Sequence, residues 1–447
     1  MTRPFGRRAF LSGVSALAVG SALSACSGGE AGTTAPSPSS SGSAGAAGGK
    51  VTLSYWGWGT AQPGLVKAWN KANPDVQVKH TDAGGGDESS AKLLTASRAG
   101  NAPDLALVEF TTLPAMIVAD VPLDITEYVD DIEGDFTDGT WEQTRFDGAV
   151  YGIPQDVGPM ALTYREDRLA ELGIPVPTTW EEFGAAARAV KEKDPNSVLT
   201  SLPASELGFY AGVAAQAGSQ WWSIEDGVWT VGIADEASLE VADFFEGLVR
   251  DGAISTEPLL TPEYNAKLNE GTMLSWPAGI WAGGVFYGVA PDTAGKWAMT
   301  PLPQWTPGDT KVAYQGGSGM IVTKGSEHPE EAAEFAKWLN ASEEGNKLLL
   351  ESRQVYPASS VGQEMAAESE PPALMPQQTD FYQTAADISS ETIPVTWGPN
   401  VNLAKSVFED QLNKAIADGT PWRDAFAATQ KAVVDDMKKS GYEVAND

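Results

Sequence analysis

The chain has 447 residues but a single cysteine, Cys26, and only two histidines, His80 and His328. One thiol forms no intramolecular disulfide and no cysteine-built zinc site, and two histidines leave little for a histidine-rich metal centre. No metal and no tightly held cofactor are expected. Cations are scarce too: 29 Lys and Arg against 60 Asp and Glu give a formal net charge of −31. So acidic a surface repels polyanions, which argues against nucleic acid as a partner. The signatures of common enzyme classes are also missing. Gly84-Gly85-Gly86-Asp87 is not followed by Gly-Lys-Ser/Thr and is no phosphate-binding loop. Gly316-Gly317-Ser318-Gly319 lacks the Gly-x-Ser-x-Gly spacing of a serine hydrolase.

What is present begins with an address. Arg7-Arg8 precedes an apolar run over 14–25, too short to span a bilayer comfortably, and this reads as an export signal over 1–25 whose paired arginines resemble the twin-arginine type. The run ends in Leu23-Ser24-Ala25-Cys26, which resembles the lipobox of bacterial lipoproteins, so Cys26 is the expected lipidation site and membrane anchor. Residues 26–49 are almost entirely Ser, Gly, Ala, Thr and Pro, which bury too little apolar surface to offset their ordering entropy. As a flexible linker they reach roughly 25 Å, from about 5–6 Å times the square root of the length.

The remainder is too long for one ordinary core, and about 150 residues per domain points to two or three. Val51-Thr52-Leu53-Ser54-Tyr55-Trp56 alternates as a strand, 64–70 reads as a helix and Val76-Gln77-Val78 as a second strand, a βαβ unit with a parallel sheet. A helix over 88–99 leads to the buried strand Leu105-Ala106-Leu107-Val108, which leaves Glu109 at its C-terminal end, where ligands sit in open α/β sheets. Farther on, Thr179 and Glu182 form a capping box, and helices are expected near 207–217, 235–251 and 401–417 and after Thr420-Pro421-Trp422.

Between these halves lies Val150-Tyr151-Gly152-Ile153-Pro154-Gln155-Asp156-Val157-Gly158-Pro159, followed by the strand candidate Met160-Ala161-Leu162-Thr163-Tyr164 and the helical Glu166–Leu172. Its Gly and Pro punctuation reads as a crossing between two lobes. This stretch resembles the Tyr-Gly-(Leu/Ile)-Pro segment and Tyr-Asn-Lys-Asp-like strand end of the extracellular solute-binding proteins, family 1, the sugar-capturing subunits of bacterial ABC importers. Gly316-Gly317-Ser318-Gly319, its following strand, and His328-Pro329-Glu330-Glu331-Ala332-Ala333 through Trp338-Leu339 resemble the family's return crossing. The resemblance implies an α/β, two-lobed periplasmic-binding-protein-like fold with a hinge and an interlobe ligand cleft. The implied organisation is a first lobe over 50–157, a second over 158–317, a return to the first over 318–360 and C-terminal helices over 361–447, mainly in the second lobe. It further implies a monomer without catalysis, lipid-anchored on the extracytoplasmic face of the membrane, that hands a sugar or oligosaccharide to a permease pair driven by a cytoplasmic ATPase.

A sugar needs aromatic faces for its C–H patches and carboxylates for its hydroxyls. Trp56, Trp58, Trp221, Trp222, Trp276, Trp281 and Trp397 stand at expected turns or strand ends. In the family a Gly-Pro-Trp turn supplies a stacking residue; Ala278-Gly279-Ile280-Trp281 occupies its place here, and either Trp276 or Trp281 takes the role. Acceptor candidates are Asp156 at the crossing, Glu109 at a strand end and Asp87 or Glu88 at a helix start, and Gly317 and Ser318 join them at the return crossing. Two other classes share parts of this pattern. A secreted glycoside hydrolase would use two carboxylates at a fixed separation, and a non-transport surface lipoprotein would keep the signal and linker without a cleft.

Overall fold

The computed structural model describes residues 50–59, 62–225, 227–353, 356–393 and 395–445. The export signal, Cys26 and the linker lie outside them. Among the described residues, the strands of four or more residues are β1 (Val51–Gly57), β2 (Val76–Asp82), β3 (Leu105–Glu109), β4 (Ile153–Asp156), β5 (Met160–Arg165), β6 (Trp222–Glu225), β7 (Val228–Val231), β8 (Ser275–Gly279), β9 (Trp297–Pro301) and β10 (Ser318–Val322).

The first sheet runs β2-β1-β3-β10-β4, with β1 parallel to β2 and β3 and with β10 antiparallel to its neighbours. Alternation decides the faces of β1. Leu53 and Tyr55 are buried under the helix Gln62–Ala72, which contributes Leu65, Val66 and Trp69. Trp56 turns to the other face, against the layer of Leu93, Val108, Leu113 and Met116. Pro154 is accommodated within β4 because β4 is the sheet's edge strand, where a missing N–H disrupts no central ladder.

The second sheet is β8-β5-β9, antiparallel throughout. Every residue of β5 is buried, as befits a central strand covered on both faces. The expected capping box is present, with Thr179 Oγ1 accepting from Glu182 N at 3.2 Å and the Glu182 carboxylate accepting from Thr179 N. The helices Val401–Asp418 and Trp422–Lys439 close this lobe; Phe408 packs on Tyr210, Trp221 and Phe426, and Glu246 accepts from Trp422 N at 2.8 Å. The architecture is thus α/β and two-lobed, built on two separate sheets.

Residues 272–274 form the approach to β8, with Val198 N donating to Thr272 O at 2.9 Å. The crossing stretch contains β4, so the first sheet continues to Asp156 before the chain leaves it.

Three segments link the sheets. Residues 157–159 carry the chain from β4 to β5. Residues 313–317 return it to β10 and pair with the first crossing, through Met160 N to Ala313 O at 2.9 Å and Gln315 N to Gly158 O at 2.8 Å. Residues 356–358 run beside β4, with Val157 N donating to Tyr356 O at 3.2 Å and Ala358 N to Gln155 O at 3.1 Å.

Candidate ligand-binding site

The C-terminal ends of β1 to β4 and the N-terminal end of β10 meet at one margin of the first sheet. Ser318 sets the register, opposite Glu109 on one side and Asp156 on the other. Glu109 ends β3 with its carboxylate lodged against Gly86, the first residue of the helix Gly86–Arg98, where a Cβ would meet it. Its Oε2 lies 3.9 Å from Nζ of Lys405, on the second-lobe helix Val401–Asp418.

Asp156 is only 7% exposed and accepts a hydrogen bond from Ser318 Oγ. The two expected ligand contacts are therefore each other's partners inside the sheet. Gly317, at φ +85°, lies against the Phe110 ring, and its carbonyl accepts from Phe110 N at 3.1 Å. It shapes the return crossing through its backbone.

On the second-lobe side the two tryptophans separate. Trp276 is 3% exposed and stacked on Phe286 at 5.3 Å, a core position that offers a ligand no face. Trp281, perpendicular to it at 5.3 Å, stays half-buried. Its Nε1 donates to Gln315 O at 2.8 Å, and its ring fills the space that a Cβ at Gly158, Gly279 or Gly316 would need. Both crossings thus grip this one indole. Gln315 Nε2 donates to Glu206 Oε2 at 2.9 Å, just before the helix Leu207–Gln216. Gln315 and Ser318 are three residues apart on one segment, so Trp281, Glu206 and Glu109 converge within about 10 Å of chain at the crossing.

Other expected contacts need correction. Trp221 and Trp222 lie inside the second lobe: Trp221 Nε1 donates to Ser238 Oγ at 3.0 Å, and Trp222 is 1% exposed beneath Trp397, at 6.0 Å. They are buried because β6 folds back under the C-terminal helices, an arrangement that local turn signals do not reveal. Trp397 is itself buried and packs on Trp222. Trp56 faces the helical layer behind the first sheet, whereas Trp58 follows β1 at the margin, half-buried, with its carbonyl accepting from Gln62 Nε2 at 3.1 Å. Glu88 is paired with Lys92 at 2.7 Å on an exposed helix face. The Asp87 side chain lies outside the described set.

Glu206, Gln315 and Lys405 were not singled out from the sequence. Glu206 reads there as an ordinary acidic residue at a helix start, and Lys405 as one polar position of an amphipathic helix. Burial, with the Glu206 carboxylate nearby, pushes the Tyr210 and Tyr264 phenols upward, so both stay neutral. Among the described residues no group of three His, Cys, Asp or Glu is placed to hold a metal ion, and no helix is long and apolar enough to cross a membrane.

The family model for the bacterial extracellular solute-binding protein matches residues 50–346, from the start of β1 into the helix Glu343–Arg353. The chain belongs to this family. An arabinooligosaccharide-binding protein of Halalkalibacterium halodurans is 30% identical over 297 residues, 64% of this chain and 65% of that one. The alignment thus spans slightly less than two thirds of that relative. The galacto-N-biose-/lacto-N-biose I-binding protein of a Bifidobacterium longum ABC transporter, solved with lacto-N-biose, is similar with a TM-score of 0.80 and 28% identity, over 89% of this chain and all of that one. An ABC transporter-associated binding protein of B. animalis subsp. lactis, at 24% identity and a TM-score of 0.81 over 89% of this chain and all of that one, adds likeness of fold alone. These relatives of the solute-binding protein are binding proteins by name.

Proposed function

We propose that this solute-binding protein captures a neutral sugar or oligosaccharide between its lobes and delivers it to the permease pair of a carbohydrate ABC importer, without chemical turnover. The observation that carries the reading is Trp281. It is a half-buried indole held by both crossing segments, with Glu206 bonded to the same Gln315 that fixes the ring. An aromatic face beside hydroxyl acceptors, placed where two lobes join, suits a saccharide and couples its arrival to hinge motion. The protein acts as a monomer, exported by the N-terminal signal and tethered through lipid on Cys26 to the extracytoplasmic face of the membrane.

The test is a thermal-shift and calorimetric panel of arabino-oligosaccharides, lactose, lacto-N-biose and β-1,6-galactobiose against the chain from Lys50 onward, followed by analysis of the recovered sugar. A true ligand at 100 times its dissociation constant adds about 2.7 kcal/mol of stability. Trp281→Ala should abolish that shift while leaving the ligand-free melting temperature within a few degrees. Recovery of cleaved sugar at enzymatic rates would reject the binding-only reading. In cells, Cys26→Ser should leave the membrane fraction or remain an uncleaved precursor.

A further inference from the structure

The second lobe holds a cavity of about 480 Å³ that none of Trp281, Glu206 and Glu109 lines. It opens where the end of β9, the loop leading to the return crossing and the C-terminal end of the helix Phe381–Ser390 meet. Its volume falls within the roughly 300–1,000 Å³ of small-molecule sites. Leu302, Val312 and Ile388 are buried in its walls, whereas Asp309, Asp387 and Glu391 stand exposed at its rim.

The rim carries charge of one sign. No Lys, Arg or His lines the cavity, and Lys311, beside Thr310, borders a neighbouring hollow instead. Glu391 accepts from Thr310 Oγ1 at 2.7 Å and Asp387 from Gln383 Nε2 at 2.8 Å, neutral donors that leave both carboxylates their charge. The helix end adds to it, because a C-terminus is the negative pole of the macrodipole.

An independent mark lies deeper, at Gln304, which is 6% exposed. Its backbone N donates to Thr178 O and its O accepts from Trp180 N, each at 3.0 Å, while Nε2 donates to Leu302 O at 2.8 Å. Its Oε1 has no partner among the described residues. A buried acceptor without a donor is uncommon, and this one belongs to a residue that lines the cavity. The terminal torsion of glutamine is broad, so a small turn brings Oε1 to a donor arriving there.

We propose that this cavity is a second binding site, for a small linear amine that carries a further donor at its far end. The ammonium sits among the rim carboxylates, the apolar stem packs on Leu302, Val312 and Ile388, and a hydroxyl or N–H at the other end donates to Gln304 Oε1. An anionic ligand would be opposed by the rim, and a sugar would find no aromatic face among the lining residues. The proposal does not rest on the sugar-binding reading.

The experiment is calorimetry on the chain from Lys50 onward, which contains both sheets and their cores, with 6-aminohexan-1-ol and 4-aminobutan-1-ol as probes. One of them should bind at a single site more tightly than about 1 mM. For that probe, the plain alkylamine of equal length, which lacks the deep donor, and the diol, which lacks the charge, should each bind about fivefold to tenfold more weakly. The hydroxy acid of equal length should not bind. Gln304→Met should bring the amino alcohol down to the affinity of the alkylamine and leave the alkylamine unchanged, an outcome that a merely structural role would not produce. Asp387→Asn with Glu391→Gln, both at exposed positions, should bring the amino alcohol down to the affinity of the diol. Trp281→Ala should bind the amino alcohol as the unaltered protein does. Absence of binding by either probe, equal affinity for amino alcohol and alkylamine, or loss of binding in Trp281→Ala would each overturn the proposal. Should Gln304→Met melt early, the ligand series on the unaltered protein and the rim variant still decides.

Discussion

Asp156 has the attributes of a ligand acceptor in the sequence, a carboxylate between Pro154 and Gly158-Pro159 at a lobe crossing. Its surroundings give it other work. It ends the edge strand β4, buried at the sheet margin, and accepts from Ser318 Oγ, so it joins that strand to β10 where the return crossing enters. Truncating it strands a buried hydroxyl, which costs about 1–3 kcal/mol. Asp156→Ala is therefore expected to lower the melting temperature of the ligand-free protein, with sugar affinity changed less than the stability loss implies. A tenfold weaker affinity at an unchanged melting temperature would restore it to the ligand contacts. The same comparison of burial separates Trp276 from Trp281: two tryptophans five residues apart, one stacked in the core and one held at the crossing.

The crossing segments work as a paired element. Residues 157–159 and 313–317 hydrogen-bond to each other and share the Trp281 indole, which leaves them too close for side chains at Gly158, Gly279 or Gly316. A ligand that tilts Trp281 must therefore move both strands of the hinge. In Gly158→Ala the added methyl meets Gln315 O and the Trp281 ring, an overpacking that costs about 1–3 kcal/mol. The damage should stay local, because neither sheet's core includes this site. Hydrogen exchange should show the amides of Met160 and Gln315 losing protection while those of β1 and of the rest of β5 keep theirs. Unchanged protection at Met160 and Gln315 would mean that the crossings do not depend on this close approach.

The molecule as a whole carries a large acid excess, and its response to pH follows from where the carboxylates sit. Burial works upward on Asp104 and Asp167, but hydrogen bonds from Ser54 and Ser326 outweigh it at the first, and Arg165 does so at the second. Asp194 is held low by the Ser197 hydroxyl. A carboxylate whose folded pKa is depressed contributes stability above its unfolded value near 3.8 and loses it as pH falls through the folded value. Stability should be flat from neutrality to about pH 5, then fall steeply below about pH 4. Asp104→Asn, which weakens the link from β3 to Ser54 of β1, should lower the neutral plateau and reduce the acid slope, as read from melting curves between pH 3 and 7. An unaltered slope would show that Asp104 does not contribute to the acid transition.

Local periodicity and turn chemistry were enough for much of the fold. The alternation of β1, the capping box at Thr179 and Glu182, the position of Glu109 at a strand end and the Gly-Pro crossing after Asp156 depend on interactions within a few residues, and such interactions are written in the chain. The motifs at the two crossings also carried the family, because close backbone approach there demands glycine. The site was legible only in part. Trp221 and Trp222 have the same turn-like neighbours as Trp281, yet distant helices bury them. The C-terminal end of β3 marked Glu109, while its ion-pair partner comes from 296 positions along the chain by residue number, 109 to 405. Nothing local to Lys405 distinguishes it from other polar positions on its helix. Which side chains meet across the cleft depends on how two separately packed sheets are set against each other, and that arrangement arises from contacts too distant in sequence for periodicity to encode.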